Sequence, residues 1–371
     1  MDYILGPRID LFEFNDLTWY VTSIPACPTL SHRTLAYPPP IDHRFPAYLR
    51  ERVQVCLTFC WSISFPNLRN GPSASSALAR VLRKELGPSL STYTFIDFCA
   101  GAGGPTQIVE RHLNTQLRED GLQPVKFVLT DLYPNPEAWR RIEAASPAVS
   151  WVAQPVDAGK APKKEILLGD DVDGKSGVTG GRKVFRMFNL AFHHFDDDGA
   201  RRILQDAITG SDAIGWVLSD VPTLIHTDIL RIKQCAARVQ DDESYANYFS
   251  SRVFEIQSRS FSGFLQVAAI GPLLTFLTPF HPPFWTLGHL FFTYIIPILP
   301  FVLVFDGYMS ALRTRTPQEI LALVETIPER DRAGWEWQWG ARKFAKPIGE
   351  INYFIGVKKP TTRSGDADGD R

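Results

Sequence analysis

Hydrophobic and polar positions change their period several times along the chain. Pro46 to Trp61 (PAYLRERVQVCLTFCW) places apolar residues at three- and four-residue spacing, which predicts a helix. SASSALARVLRKELG, from Ser73, predicts a second, with serines to cap its start and Gly87-Pro88 to stop it. From Tyr93 the texture changes. TFIDF is a short apolar run entering a glycine turn, and TQIVERHLNTQLRED returns to helical spacing. KFVLTDLY then reads as a second strand, EAWRRIEAA as a helix and VSWVAQPVDA as a third strand. KVFRMFNLAFHHF reads as a fourth strand, DDDGARRILQDAITG as a helix and AIGWVLSD as a fifth strand. Short apolar runs alternating with helices imply right-handed βαβ units and a parallel sheet. GWEWQWGARKF and INYFIGVKKP follow each other with no helix between, and predict an antiparallel hairpin at the sheet edge. The expected fold is therefore α/β, with a seven-stranded, mostly parallel sheet closed by that hairpin.

These patterns divide the chain. Residues 1–90 form a helical cap rich in proline and aromatics, 91–259 the α/β core, and 260–315 an apolar insertion. Residues 316–360 supply the last helix, with proline at its first position (Thr316-Pro317), and the hairpin; 361–371 form a polar, disordered tail. Gly159 to Gly181 reads as a flexible loop.

The insertion stands out. From Ser260 to Phe305 there is no Lys, Arg, Asp or Glu. Two apolar runs of ~17–19 residues flank the HPPFW turn, at the lower edge for a bilayer of roughly 30 Å. Arg252 and Arg259 precede the pair and Asp306 and Arg313 follow it, so both ends would lie on one side. A re-entrant or interfacial hairpin fits this pattern, and so does an apolar lid, which Pro272, Pro279, Pro297 and Pro300 favour by breaking long helices. Both readings point to a small hydrophobic partner, lipid-like or of the secondary-metabolite type.

Composition narrows the classes. With 371 residues, 44% of them hydrophobic, the chain can bury a full core. Its 39 basic and 40 acidic side chains leave a net charge of −1, with no excess to neutralise phosphates, so no nucleic-acid partner is expected. Five scattered cysteines contain no CxxC pair and no metal set is expected; Cys56 and Cys60 are two thiols on one helical face, too few for zinc. Reduced thiols and an N-terminus (MDYILGPRIDLFEFND) without an apolar signal core point to a cytoplasmic protein, with membrane association through residues 260–305 left open.

Chemistry concentrates at the ends of the expected strands. Asp97-Phe-Cys-Ala-Gly101-Ala-Gly103-Gly104 lies where the first strand becomes the first helix; glycine there allows backbone angles that side chains oppose and lets a ligand approach the main chain. Asp131 ends the second strand and Asp157 the third. Alone, the glycines suit any tight turn and each acid any helix cap, Asp131 before the NPE turn above all. Three such features at successive carboxyl ends mark the place where open α/β sheets bind ligands.

The glycine turn in DFCAGAGG, the acids in LTDLY and VDA, and the terminal pair ending in INYFIGVKKP resemble class I (Rossmann-like) S-adenosylmethionine-dependent methyltransferases over roughly Tyr93 to Lys359. FEFND, TDLYPN, FNLAFHHF and FDGYMSALRT are similar to a poorly characterised bacterial and fungal group of that superfamily. The resemblance implies S-adenosyl-L-methionine as cofactor, with Asp97, Gly101 and Gly103 at the methionine moiety, Asp131 at the ribose and Asp157 at the adenine. The turn departs from a strict GxGxG spacing. The hairpin sets the chain apart from a dinucleotide-binding domain, which would continue with a sixth parallel strand.

His193 and His194 follow the fourth strand, beside the expected methyl donor, where a neutral imidazole can take a proton from an acceptor. They can equally close the pocket or cap the next helix. Asn189 reads as a pocket wall or a backbone-holding group, and Asp196, Asp197 and Asp198 as the acidic start of a helix rather than metal ligands. Arg313 and Arg315 read as structural ion pairs, and Trp335, Trp337 and Trp339 as one packed face of a strand. Two alternatives to methyl transfer stay open: a non-methylating reaction such as a cyclisation on a cofactor-bound fold, and a non-catalytic membrane-attached scaffold.

Overall fold

The computed structural model describes residues 46–64, 73–168, 183–220, 261–343 and 350–358. The FEFND segment, residues 169–181 of the expected loop and the tail lie outside them. Helix α1 (Ala47–Ser62) and helix α2 (Ala74–Leu86) open the described chain. The side chain of Ser73 accepts from Ser76 N–H to cap α2, and Gly87, at φ 52°, ends it.

The core then alternates as its pattern requires: β1 (Tyr93–Phe98), α3 (Thr106–Glu119), β2 (Lys126–Leu129), α4 (Pro136–Ala145), β3 (Val149–Trp151) and the short α5 (Lys164–Leu168). β4 (Lys183–Asn189), α6 (Asp197–Gly210) and β5 (Ala213–Asp220) complete it. After the insertion come α10 (Pro317–Glu325), α11 (Glu329–Arg332), β6 (Trp335–Lys343) and β7 (Glu350–Lys358). Thr316 and Glu319 form a reciprocal capping box at the start of α10.

The seven strands form one sheet in the order β3-β2-β1-β4-β5-β7-β6. Strands β1 to β5 run parallel, whereas β7 pairs antiparallel with both β5 and β6. β1 is buried along its whole length because both sheet faces are covered. Tyr93 and Phe95 feed the core beneath α2, α3 and α4, while Ile96 and Phe98 feed the one beneath α6 and α10.

Three strands are shorter than their expected runs, and β2 stops at Leu129, two residues before Asp131. β3 ends at Trp151, so Asp157 sits six residues beyond it in a loop, joined to the β2 side through Val152 N–H to the Leu129 carbonyl at 3.0 Å and Val156 N–H to the Asp131 carbonyl at 2.9 Å. Pro155 cannot donate to a ladder, which is the physical reason the run does not continue as strand. β4 ends at Asn189, and FHH of the expected fourth strand is a 3₁₀ turn, Phe192–His194, reached through Leu190 at φ 54°. On the β6 edge the tryptophans grade from buried (Trp335) through half-buried (Trp337) to exposed (Trp339), with Trp337 and Trp339 packed against Phe354.

The insertion is a broken helical hairpin. It comprises α7 (Phe261–Leu277), which contains Pro272, the short α8 (Leu287–Leu290) continued by a π turn (Phe291–Ile295), and α9 (Ile298–Arg313). Leu274, Phe284, Leu299, Val302 and Leu303 pack against Leu49, Val53 and Cys56 of α1, forming a third core separate from the two on the sheet. No single described helix is long and apolar enough to cross a membrane.

Candidate functional site

In the strand order, β1 lies between β2 and β4, whose crossovers leave it in opposite directions along the sheet. A crevice opens at the carboxyl ends of strands at such a reversal, and ligands of open α/β sheets bind there. Asp97 stands at that point, one residue before the end of β1. Its carboxylate accepts from Asn189 Nδ2, at the end of β4, at 2.9 Å, and from the Thr106 hydroxyl at the start of α3. Burial raises the Asp97 carboxyl to about 7, with the two hydrogen bonds opposing that shift.

The turn after β1 is built on left-handed backbone. Cys99 (φ 59°), Gly101 (φ 53°), Gly103 (φ 105°) and Gly104 (φ 44°) all have positive φ. The alternating series thus begins at Cys99, a residue the sequence pattern did not mark. A Cβ on Gly103 would meet Ile142 Cδ1 of α4 at 2.2 Å, so this glycine serves close helix packing. Gly101 is placed differently. Its carbonyl accepts from Trp139 Nε1 at 2.9 Å, and its N–H donates to Asp131 Oδ2 at 2.8 Å.

Asp131 therefore holds the turn as well as facing the crevice. Its second oxygen accepts from Tyr133 N–H at 2.8 Å. Burial raises its carboxyl, while those backbone donors and the nearby His194 pull it down. With Leu132 N–H also lowering it, three backbone donors leave one of its four lone pairs for a further donor. Asp157 is exposed and folds back on Gly159 N–H at 2.8 Å. It still acts electrostatically on the Cys99 thiol, which burial, Asp131, Asp97 and Asp157 raise in that order. The three acids thus converge on one residue of the turn.

His193 and His194 sit on the same rim. His193 is buried and His194 half-buried, their rings 4.3 Å apart. Two buried arginines clamp this turn from the end of the insertion. Arg313 Nη2 donates to the His194 carbonyl at 2.7 Å, and Arg315 donates to the carbonyls of Phe192 (3.2 Å) and Phe195 (2.7 Å) and to Asp197 (2.8 Å). The expected ion pairing of Arg315 is present, but the main task of both guanidinium groups is to hold backbone. Asp196 caps α6 by accepting from Gly199 N–H at 2.7 Å, and no group of three metal-ligating side chains occurs among the described residues.

The roof was not foreseen. Gln54, on α1, lies 3.6 Å from where a Cβ on Gly101 would stand, and its Oε1 accepts from Asn135 Nδ2 at 3.2 Å. The Arg50 guanidinium lies over the Tyr133 ring at 5.9 Å. α1 thus spans from the apolar insertion to the glycine turn. Only the tertiary fold brings these residues there; the helical spacing of α1 signals a helix but not its partner.

The site suits a ligand that carries an ammonium group in one respect. Asn189 Oδ1 is buried beside Asp97 without a hydrogen-bond partner among the described residues. An acceptor and a carboxylate side by side fit an ammonium group, which brings three donors.

No family model matches the chain, and no curated protein matches it. Among solved structures it is similar to LepI in complex with SAM (16% identical over 75% of this chain and 46% of that one, TM-score 0.33). It is also similar to Haemonchus contortus phosphoethanolamine N-methyltransferase 2 in complex with S-adenosyl-L-methionine (9%, covering 84% and 57%, TM-score 0.31). A putative zinc-dependent alcohol dehydrogenase from Rhodobacter sphaeroides resembles it at the same level (12%, covering 84% and 98%, TM-score 0.35). The chain spans about half the length of the first of these. Likeness this distant decides no function. By its own strand order and antiparallel β7, the chain has a Rossmann-like α/β fold closed by an antiparallel hairpin.

Proposed function

We propose that the chain is an S-adenosylmethionine-dependent methyltransferase acting on a small hydrophobic acceptor. The observation that carries this reading is the meeting of Asp97, Asn189, the positive-φ turn and Asp131 at the reversal of strand order. Asp97 and Asn189 would hold the methionine moiety, the backbone around Gly101 would lie against it, Asp131 would accept from the ribose, and Asp157 would stand at the adenine. Gly103 supports the turn from behind. Bound there, the cofactor supplies an activated methyl group for in-line displacement at carbon, a reaction governed chiefly by positioning and desolvation.

The residues of this chain would do the rest. Gln54 and Arg50 close the cleft from α1 and exclude water. His194, close enough to Asp131 to lower its pKa, would take the proton an acceptor loses, with His193 supporting its ring. The hydrophobic character of the acceptor is supported by residues 260–305, which carry no Lys, Arg, Asp or Glu, in an insertion whose last helix ends in the arginine that holds the His194 carbonyl.

Calorimetric titration with S-adenosylmethionine and S-adenosylhomocysteine tests the reading. We expect micromolar binding, weakened at least about tenfold by Asp131→Ala, which removes a ligand acceptor and frees Gly101 N–H. A folded protein that binds neither compound at millimolar concentration sinks the proposal. Binding without S-adenosylhomocysteine formation across a panel of hydrophobic acceptors would instead favour a non-methylating reaction on the same site.

A further inference from the structure

The hairpin of α7, α8 and α9 has two apolar faces, one packed in a core of the described residues and the other largely exposed. Its inner face meets α1 in the third core. The outer one presents Phe276 (67% exposed), Phe280 (70%), Trp285 (59%), Leu287 (90%), Ile295 (70%) and Phe301 (58%). Between α7 and α9 the same face opens into an apolar cleft of about 930 Å³, with Phe276, Phe280, Tyr294 and Phe301 in its walls. Exposed apolar surface of this extent marks a docking site.

Its chemistry selects the partner. Protein partners meet across a polar rim. Here, from 260 to 305, the only ionisable residues besides Tyr294 are His281 and His289; His289 is fully buried, and the His281 ring packs against Phe59 and Phe284. Three side-chain donors of this hairpin bond to its own backbone as well. Trp285 Nε1 donates to the Pro279 carbonyl at 3.1 Å, Tyr294 OH to the Thr275 carbonyl at 2.7 Å, and Thr275 Oγ1 to the Gly271 carbonyl at 2.9 Å. A surface that satisfies its own donors internally fits a phase that offers no hydrogen bonds. The geometry is that of a shallow insertion: Leu287–Ile295 and Ile298–Arg313 together have the length and composition of a span but bend by 73° between them.

We propose that this outer face docks into the hydrocarbon of a lipid bilayer from one side, with the cleft receiving acyl chain. The attraction is apolar, so it does not depend on anionic lipid or low salt. The proposal stands apart from the methyltransferase reading.

Flotation of the full chain with neutral phosphatidylcholine vesicles tests it. We expect the protein to float, equally at low salt and in about 1 M NaCl. The double substitution Leu287→Asp with Ile295→Asp, at exposed positions, should lower the vesicle-bound fraction at least about tenfold, with circular dichroism and S-adenosylhomocysteine affinity as in the unsubstituted chain. Four results would overturn the proposal. The chain stays with the unbound fraction; it is released by salt; the double variant floats undiminished; or, without flotation, sedimentation shows a dimer that the double substitution dissociates, which assigns the face to a second copy.

Discussion

Asp97 carries a strong electrostatic tension within the site. Its carboxyl is raised from 3.8 to about 7, chiefly by burial, so over that interval the folded chain holds a proton that the unfolded chain has released. Stability therefore falls as pH rises from about 4 to about 7 and levels off above, the reverse of a salt-bridged carboxylate. Asp97→Asn cannot ionise. Urea unfolding across that range should show the unsubstituted chain losing stability relative to this variant, and a constant difference would refute the assignment. The neighbouring Cys99 shows what residue type alone conceals. Glycines announce positive φ because the chain has little other use for them in a turn. A cysteine at φ 59° announces nothing, so the alternating turn was read from Gly101 onward although it begins two residues earlier.

At the scale of elements, the turn Phe192–His194 depends on a helix end more than 100 residues away. Arg315 is 3% exposed and takes two carbonyls of the turn, whereas its ionic partner Asp197 is two-thirds exposed. The carbonyls matter more, because an exposed ion pair contributes under about 1 kcal/mol, while each buried acceptor left without a donor costs about 1–3 kcal/mol. Arg315→Met should destabilise the chain by about 3 kcal/mol in denaturant unfolding and Asp197→Ala by less than about 1 kcal/mol; equal losses would return the role to ion pairing. Such long-range grips leave no trace in periodicity. What was legible was local. The strands β1, β2, β4 and β5 and the helices α3, α4 and α6 follow from apolar runs and helical spacing, and the start of α10 from Thr316-Pro317, whereas the one-turn helix α5 lies in the stretch from Gly159 to Gly181 that reads as a loop. β3 was overextended because VAQPVDA keeps apolar residues while Pro155 withholds the donor a strand needs.

For the whole molecule, the consequence is a division that cuts across chain order. α2 packs on the sheet, while α1 packs mainly on the insertion some 200 residues later, with only its last turn, at Trp61, entering the sheet core beside α2. The sequence shows two helices in succession and cannot show that they part company, since both present ordinary apolar faces. Phe284 sits at the centre of the third core, fully buried, with its ring stacked on His289 at 4.5 Å and edge-on to Phe59 at 5.0 Å. Phe284→Ala removes about 3–5 kcal/mol of packing. That loss should be local, because the sheet cores are filled by other side chains. Hydrogen exchange should then quicken in α1 and in α7 to α9 but keep its rate in β1, β2, β4 and β5, which open with a different unit. Quickening in the strands to the same degree would show one cooperative core. Exchange confined to the insertion would place α1 with the sheet. Either pattern would detach the roof over the glycine turn from the apolar hairpin, because α1 is the element that carries both Leu49, Val53 and Cys56 into the third core and Gln54 over Gly101.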